Sequence, residues 1–254
     1  FPYLRKKQPE IIYSQMVKIC SIGESQVAEE IEDLIESQTN PTIAPYAKTG
    51  EVHLRITAKG KNEKECKKLI KPVVKELKAR FGRNIFATEE SKSLEEAVVD
   101  MLKEQEMTLS LAESCTGGAI AARIVNVSGA SEVFLQGMVT YSNKAKRRCL
   151  DVSKSTLKKH GAVSEECAAE MAKGGRKASK TDICLSVTGI AGPGGGTKEK
   201  PVGTVFMGCS YKGCTQVREF HFQGNRARVR EQTVAHGLAF LRDCMMERAD
   251  KQDK

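Results

Sequence analysis

The chain has 254 residues, 40% of them hydrophobic and 29% charged, enough for one large domain or two ordinary ones with packed cores. That balance excludes global disorder, and the sequence holds no apolar run near the roughly 18 residues a membrane span needs and no signal-peptide pattern. A net charge of +9 comes largely from dispersed lysines. With 5% aromatic residues and no Trp to stack bases, it reads as a soluble basic surface rather than a nucleic-acid face.

The opening Phe1-Pro2-Tyr3-Leu4-Arg5 reads as the tail of something upstream. "MVKICSI" (Met16 to Ile22) has the pattern of a short strand. After Gly23-Glu24-Ser25, "QVAEEIEDLIES" places Val27, Ile31, Leu34 and Ile35 on one helical stripe. Beyond the breaker Asn40-Pro41 comes a short strand near Ile43, then the alternating "EVHLRITAKG" (Glu51 to Gly60). "EKECKKLIKPVVKELKARFG" closes the unit as a helix, with Pro72 a kink or an early boundary. This first part is half-polar and carries no reactive cluster.

"TEESKSLEEAVVDMLKEQEM" (Thr88 to Met107) begins a second part, with Ser93 and Glu96 spaced as a capping box. Strands and helices then alternate: "TLSLAES", a helix after Gly118, "VFLQGMVTYS", a helix from Asn143 and another from Ser164 to Ala178. "DICLSVTG", an antiparallel pair around Lys212-Gly213 and a long helix from Asn225 to Met246 complete it. The pattern predicts a three-layer α/β/α domain with a mixed sheet, preceded by a small α+β domain, divided at 1–90 and 91–254. Residues 1–11 would be a remnant of the upstream piece.

The nine cysteines are scattered, odd in number and without a Cys-x-x-Cys, which fits reduced thiols in a cytoplasmic protein. His53, His160, His221 and His236 lie far apart, so neither a metal site nor a cofactor is expected.

In such sheets ligands sit beyond the carboxyl ends of strands, and four stretches occupy that kind of position. "ESCTGG" ends a strand with Ser114, Cys115 and Thr116, and Gly117 and Gly118 lead into a helix whose free N–H groups suit an anion or a developing oxyanion. "VTYSNKAK" puts Tyr141 at a strand end and Lys144 and Lys146 in the first helical turn. The positive end of the helix dipole there lowers a lysine's pKa and leaves a neutral amine able to act as a base. "SVTGIAGPGGGTKEKPVGT" holds Thr188, Gly189 and Gly192 in a loop that allows close backbone approach to a ligand. It is neither a P-loop nor a dinucleotide fingerprint. "GNRARVREQ" sets Arg226 and Arg230 on one helical face, where two guanidinium groups suit phosphate or carboxylate. Each stretch alone has a plainer reading: a helix N-cap, a solvated lysine pair, a surface loop, a basic face. Together they supply a nucleophile, a base, an anion-accepting turn and a basic clamp, the parts of a metal-free acyl-transfer site.

"AESCTGG", "VTYSNKAK", "HGAVSEE", "TGIAGPGGG", "KPVGTV" and "GNRARVREQ", in this order, closely resemble the C-terminal domain of the CinA (competence/damage-inducible) proteins, over about Ser93 to Leu241. Met16 to Phe86 is similar to the KH-like linking domain that precedes it in that family. Nothing in the chain resembles the family's amino-terminal molybdopterin-binding-like domain. The resemblance implies a nicotinamide-mononucleotide deamidase of pyridine-nucleotide salvage, releasing nicotinic acid mononucleotide and ammonia. It implies Ser114 as nucleophile, Lys146 as base and Tyr141 relaying or orienting the proton. The N–H groups around Cys115, Thr116, Gly117 and Gly118 would hold the oxyanion, and the Thr188 to Gly196 loop with Arg226 and Arg230 would bind nucleotide groups. Gly194 stands where relatives often carry Asp or Thr. The expected partners are a small-molecule nucleotide and a second copy of the chain in a dimer, with no membrane. The rival reading is a non-catalytic module serving DNA uptake or repair. RNA binding by the KH-like unit is not expected, because Ile22-Gly23-Glu24-Ser25 is acidic and lacks the second glycine of a Gly-x-x-Gly grip.

Overall fold

The structure, a computed structural model, describes residues 10–252. The opening Phe1 to Arg5 stretch, and all of the expected remnant before Glu10, lie outside the described residues. The chain divides into two compact units, the first ending at Leu94 and the second beginning at Glu95. No helix among the described residues is long and apolar enough to cross a membrane.

The first unit runs β1 (Ile11–Cys20), α1 (Glu24–Glu30), α2 (Glu32–Glu36), β2 (Thr42–Lys48), β3 (Glu51–Gly60), α3 (Glu63–Phe81) and β4 (Ile85–Ala87). Its sheet is antiparallel, in the order β2-β3-β1-β4. Val17, Ile19, Leu54 and Ile56 from the strands pack on Ile70 and Leu77 of α3 to form the core. β1 starts five residues before the Met16 its apolar run suggests, because it pairs with the whole of β3, from Ile11 opposite Gly60 to Cys20 opposite Glu51. The exposed to half-buried stretch in between is held by that ladder and by a 2.9 Å contact between Ser14 Oγ and Thr57 Oγ1. The single helix expected after Ser25 is two short ones, broken at the fully buried Ile31 with φ −118° and ψ 8°. α3 is capped by Asn62, whose Oδ1 accepts from Glu65 N at 3.0 Å, and it continues through Pro72. Pro72 leaves the Lys68 carbonyl without its helical donor, and Lys68 lies on the exposed face of the helix.

The second unit contains α4 (Leu94–Glu104), β5 (Leu109–Glu113), α5 (Ala119–Val125), β6 (Phe134–Val139), α6 (Asn143–Leu150), α7 (Lys154–Lys159), α8 (Glu165–Ser179), β7 (Ile183–Gly189), β8 (Thr204–Tyr211), β9 (Cys214–His221) and α9 (Arg226–Gln252). The sheet order is β6-β5-β7-β8-β9; β6, β5 and β7 are parallel, and β8 and β9 antiparallel. It is the mixed sheet the alternation of elements predicts. Successive strand residues face opposite layers. Cys184, Ser186 and Gly208 meet α8: a Cβ on Gly208 would lie 2.5 Å from Ala168 O, and one on Gly175 2.6 Å from Cys184 Sγ. Leu185 and Met207 face α9, where a Cβ on Gly237 would touch both. α7 has no apolar stripe that a sequence pattern could reveal; Ser153 caps it, its Oγ accepting from Thr156 N at 3.0 Å. Because β5, β6 and β7 are parallel, Glu113, Val139 and Val187 end level with one another, and the chain leaves all three strands at one edge of the sheet.

Candidate active site

At that edge Ser114 extends β5 by one residue, donating its N–H to Val187 O at 2.9 Å. The chain then reverses through Gly117 and Gly118, at φ +64° and +94°, a left-handed pair that side chains disfavour. Glu113 decides what this turn can do. It is almost fully buried, Oε2 accepting from Gly118 N at 2.9 Å and Ile120 N at 3.2 Å, and Oε1 from Ala121 N at 2.8 Å. The N-terminus of α5 is therefore capped by the carboxylate before the nucleophile candidate, and neither Ser114 nor Thr116 serves as the cap. Gly117 N is also occupied, by Ser114 O at 3.1 Å. Of the four N–H groups expected to face an oxyanion, those of Gly117 and Gly118 are spent. Those of Cys115 and Thr116 donate to no oxygen among the described residues.

Lys146 reaches the same point from α6. Ser142 caps this helix, its Oγ accepting from Ala145 N at 3.1 Å, and the first turn aims Lys146 inward, where it is 1% exposed. Its Nζ donates to Thr140 O at 2.8 Å and lies 2.9 Å from Ser114 Oγ as donor. No carboxylate pairs with it among the described residues. Burial holds its pKa below the usual lysine value, the neighbouring Cys167 and Cys115 thiols opposing the shift. Desolvation, rather than the helix dipole expected from the position of Lys146 in the first turn, is the leading cause. A neutral amine has two N–H groups and one lone pair. With one N–H on Thr140 O, the lone pair is available to the Ser114 hydroxyl. Cys115, the better intrinsic nucleophile, is buried, and burial pushes its thiol up to about 11, so it stays protonated near neutral pH.

The remaining candidates fall into two groups. Arg230 Nε donates to Cys115 O at 3.1 Å and its Nη2 to Thr116 O at 2.7 Å, pinning the carbonyl side of the turn. One turn earlier on α9, Arg226 Nη1 donates to Gly192 O at 2.9 Å and Nη2 to the Tyr141 hydroxyl at 3.0 Å, which ties the glycine loop to the end of β6. Tyr141 is 62% exposed, and among the described residues its hydroxyl makes no hydrogen bond to Ser114 or Lys146. Thr188 is buried and donates to Ala162 O at 2.7 Å, an anchor for the loop. Gly189 lies so close to β8 that a Cβ would come within 2.6 Å of Val205 Cγ2. Among the described residues no group of three or more His, Cys, Asp or Glu side chains is placed to hold a metal.

Two contributors were missed. In the sequence Glu113 is one residue of the strand "TLSLAES" with no role of its own, although an acid in a wholly buried strand, β5, is itself a signal that it caps or binds something. Thr140 contributes a main-chain oxygen, which no side-chain pattern can announce.

Comparison with known proteins matches residues 91–245 to the CinA C-terminal domain and residues 14–87 to the damage-inducible protein CinA KH domain. A putative competence-damage inducible protein of Clostridium novyi is 51% identical over 241 residues, 95% of this chain and 58% of that protein. A CinA-like protein of Kosmotoga olearia is 48% identical over 245 residues, 96% of this chain and 59% of that protein. This chain thus spans under two thirds of these relatives' length. Among solved structures, the competence/damage inducible protein of Agrobacterium tumefaciens is 39% identical with a TM-score of 0.57, covering 58% of this chain and 91% of that one. A CinA superfamily protein from Escherichia coli is 31% identical with a TM-score of 0.58, covering 65% and 97%.

Proposed function

The chain belongs to the CinA family, and on that footing we propose that it is an amide hydrolase converting nicotinamide mononucleotide to nicotinic acid mononucleotide and ammonia. The observation that carries the reading is the 2.9 Å contact between Ser114 Oγ and the buried Lys146 Nζ, which has no carboxylate partner among the described residues. A buried lysine of lowered pKa beside a serine hydroxyl is the pairing that activates an otherwise weak nucleophile.

Ser114 Oγ attacks the carboxamide carbon as its proton passes to Lys146 Nζ. The carbonyl π pair moves onto oxygen, and the oxyanion is met by the N–H groups of Cys115 and Thr116; Arg230, by holding Cys115 O, fixes the peptide plane that carries the Thr116 N–H. The Lys146 ammonium then gives its proton to the leaving nitrogen. The C–N bond breaks, ammonia departs and an acyl ester remains on Ser114. Water, deprotonated by Lys146, attacks the ester; the C–Oγ bond breaks, and Ser114 recovers its proton. Arg226, Tyr141 and the loop at Gly192 form the rim that receives the nucleotide's ribose and phosphate. The enzyme works in the cytoplasm as a dimer. β6 is an edge strand with Leu135 and Val139 exposed and Tyr141 just beyond, an apolar edge that a second copy would cover.

Ammonia release measured over a panel of pyridine nucleotides tests the activity. Turnover of nicotinamide mononucleotide is expected, and silence across the panel would exclude the assignment.

A further inference from the structure

We propose that the outer face of α6 and α7 holds a second site, separate from Ser114, for a small anion carrying a chain of phosphates, such as a nucleoside triphosphate. Asn143, Lys144 and Arg147 of α6 and Lys154, Leu157 and Lys158 of α7 line a groove of about 520 Å³. That volume lies within the range of small-ligand pockets. Four of the six lining residues are cations and none is an acid. Lys144, Arg147, Lys154 and Lys158 are exposed and make no ion pair among the described residues. The carboxylate of α8 that reaches α7, Glu170, is spent on Ser153 N at 2.8 Å and Thr156 Oγ1 at 2.6 Å.

Like charges three and four residues apart on a helix repel, and here two such pairs, Lys144 with Arg147 and Lys154 with Lys158, face one groove with no counter-charge. A single monovalent anion would leave most of that repulsion in place. A run of two or three phosphates matches the charge. Arg147 offers a planar fork to one phosphate while the lysines act as point charges on the others. No aromatic side chain lines the groove to stack bases. It is also distinct from the catalytic centre, because Lys146, on the same helix, points inward to Ser114. The inference does not depend on the deamidase reading.

Calorimetric titration of the full chain with inorganic tripolyphosphate tests it. One site per chain is expected, weakened at least about tenfold in the double variant Arg147→Glu/Lys158→Glu and weakened further by added salt. Lys71→Glu/Lys75→Glu, on the exposed face of α3, makes the same change in net charge and should bind as the wild type does. If the first variant does not fold, Lys144→Gln/Lys154→Gln should show the same selective loss. The proposal is overturned if the wild type gives no binding heat, or if both double variants lose affinity equally. It is also overturned if a mixed-sequence oligonucleotide binds more tightly than tripolyphosphate and displaces it, since the face would then serve nucleic acid.

Discussion

Glu113→Ala should damage both the fold of the second unit and its chemistry. The substitution strips the acceptor from three main-chain N–H groups, those of Gly118, Ile120 and Ala121, and Ile120 is buried. A helix cap is worth about 0.5–2 kcal/mol, and an orphaned buried donor costs about 1–3 kcal/mol. Water reaching Gly118 and Ala121 recovers part of this, so a net loss of about 3 kcal/mol is expected. For a unit of this size that lowers the melting temperature by about 6–12 °C. The turn holding Ser114 loses its anchor at the same time, and a nucleophile misplaced by about 1 Å loses about 100-fold in rate. Glu113→Gln keeps one acceptor oxygen but turns an N–H toward N–H groups, and should fall between the two. Thermal melts by circular dichroism and ammonia release below the transition read the two effects separately. A melting temperature within about 1 °C of wild type would refute the capping argument. A destabilised variant with undiminished kcat would show that Glu113 caps α5 without positioning Ser114.

The pH profile of kcat/KM should report Lys146: activity is present where the amine is neutral and is lost as pH falls through its folded pKa, which burial holds below the usual lysine value. The stability linked to the same group follows the same sign, because the unfolded chain binds the proton more tightly, so Lys146→Met should flatten the loss of stability as pH drops from about 10.5. Lys146→Arg should be inactive at every pH, since guanidinium does not deprotonate. Arg226→Ala, which frees Tyr141 and the Gly192 carbonyl, should raise KM by about tenfold with little change in kcat; an unchanged KM would remove that rim from the substrate site. Leu135→Glu/Val139→Glu should convert a dimer to a monomer in sedimentation experiments, and a wild-type chain that is already monomeric would contradict the edge argument.

Where side-chain periodicity governs structure, the sequence was readable. The alternation of strands and helices predicted the mixed sheet, and Lys212-Gly213 marked the β8–β9 turn that the register of Tyr211 opposite Cys214 places there. What escaped was set by tertiary pairing: the half-exposed start of β1, the three-residue β4, the break at Ile31 and the short α7 are too short or too exposed for a periodic pattern to mark them. At the site, Ser114 and Lys146 stand 32 positions apart, and only the parallel pairing of β5 with β6 brings them within 2.9 Å. Arg230 read as a ligand clamp from its spacing, yet two of its donors hold carbonyls of the nucleophile turn. Backbone acceptors carry no sequence mark, so a guanidinium that serves them looks the same as one that awaits a phosphate.

Ser114 and Lys146 are expected to act as one unit, and a double-mutant cycle on kcat for ammonia release from nicotinamide mononucleotide is the decisive measurement. Ser114→Ala and Lys146→Ala should each lower kcat by several orders of magnitude, with the double variant scarcely worse than either, because partners in one step are strongly non-additive. Lys144→Ala, exposed on the outer face of the same helix, should leave kcat at the wild-type value. Full activity in Ser114→Ala together with its loss in Cys115→Ala would contradict the account and make the enzyme a thiol amidase.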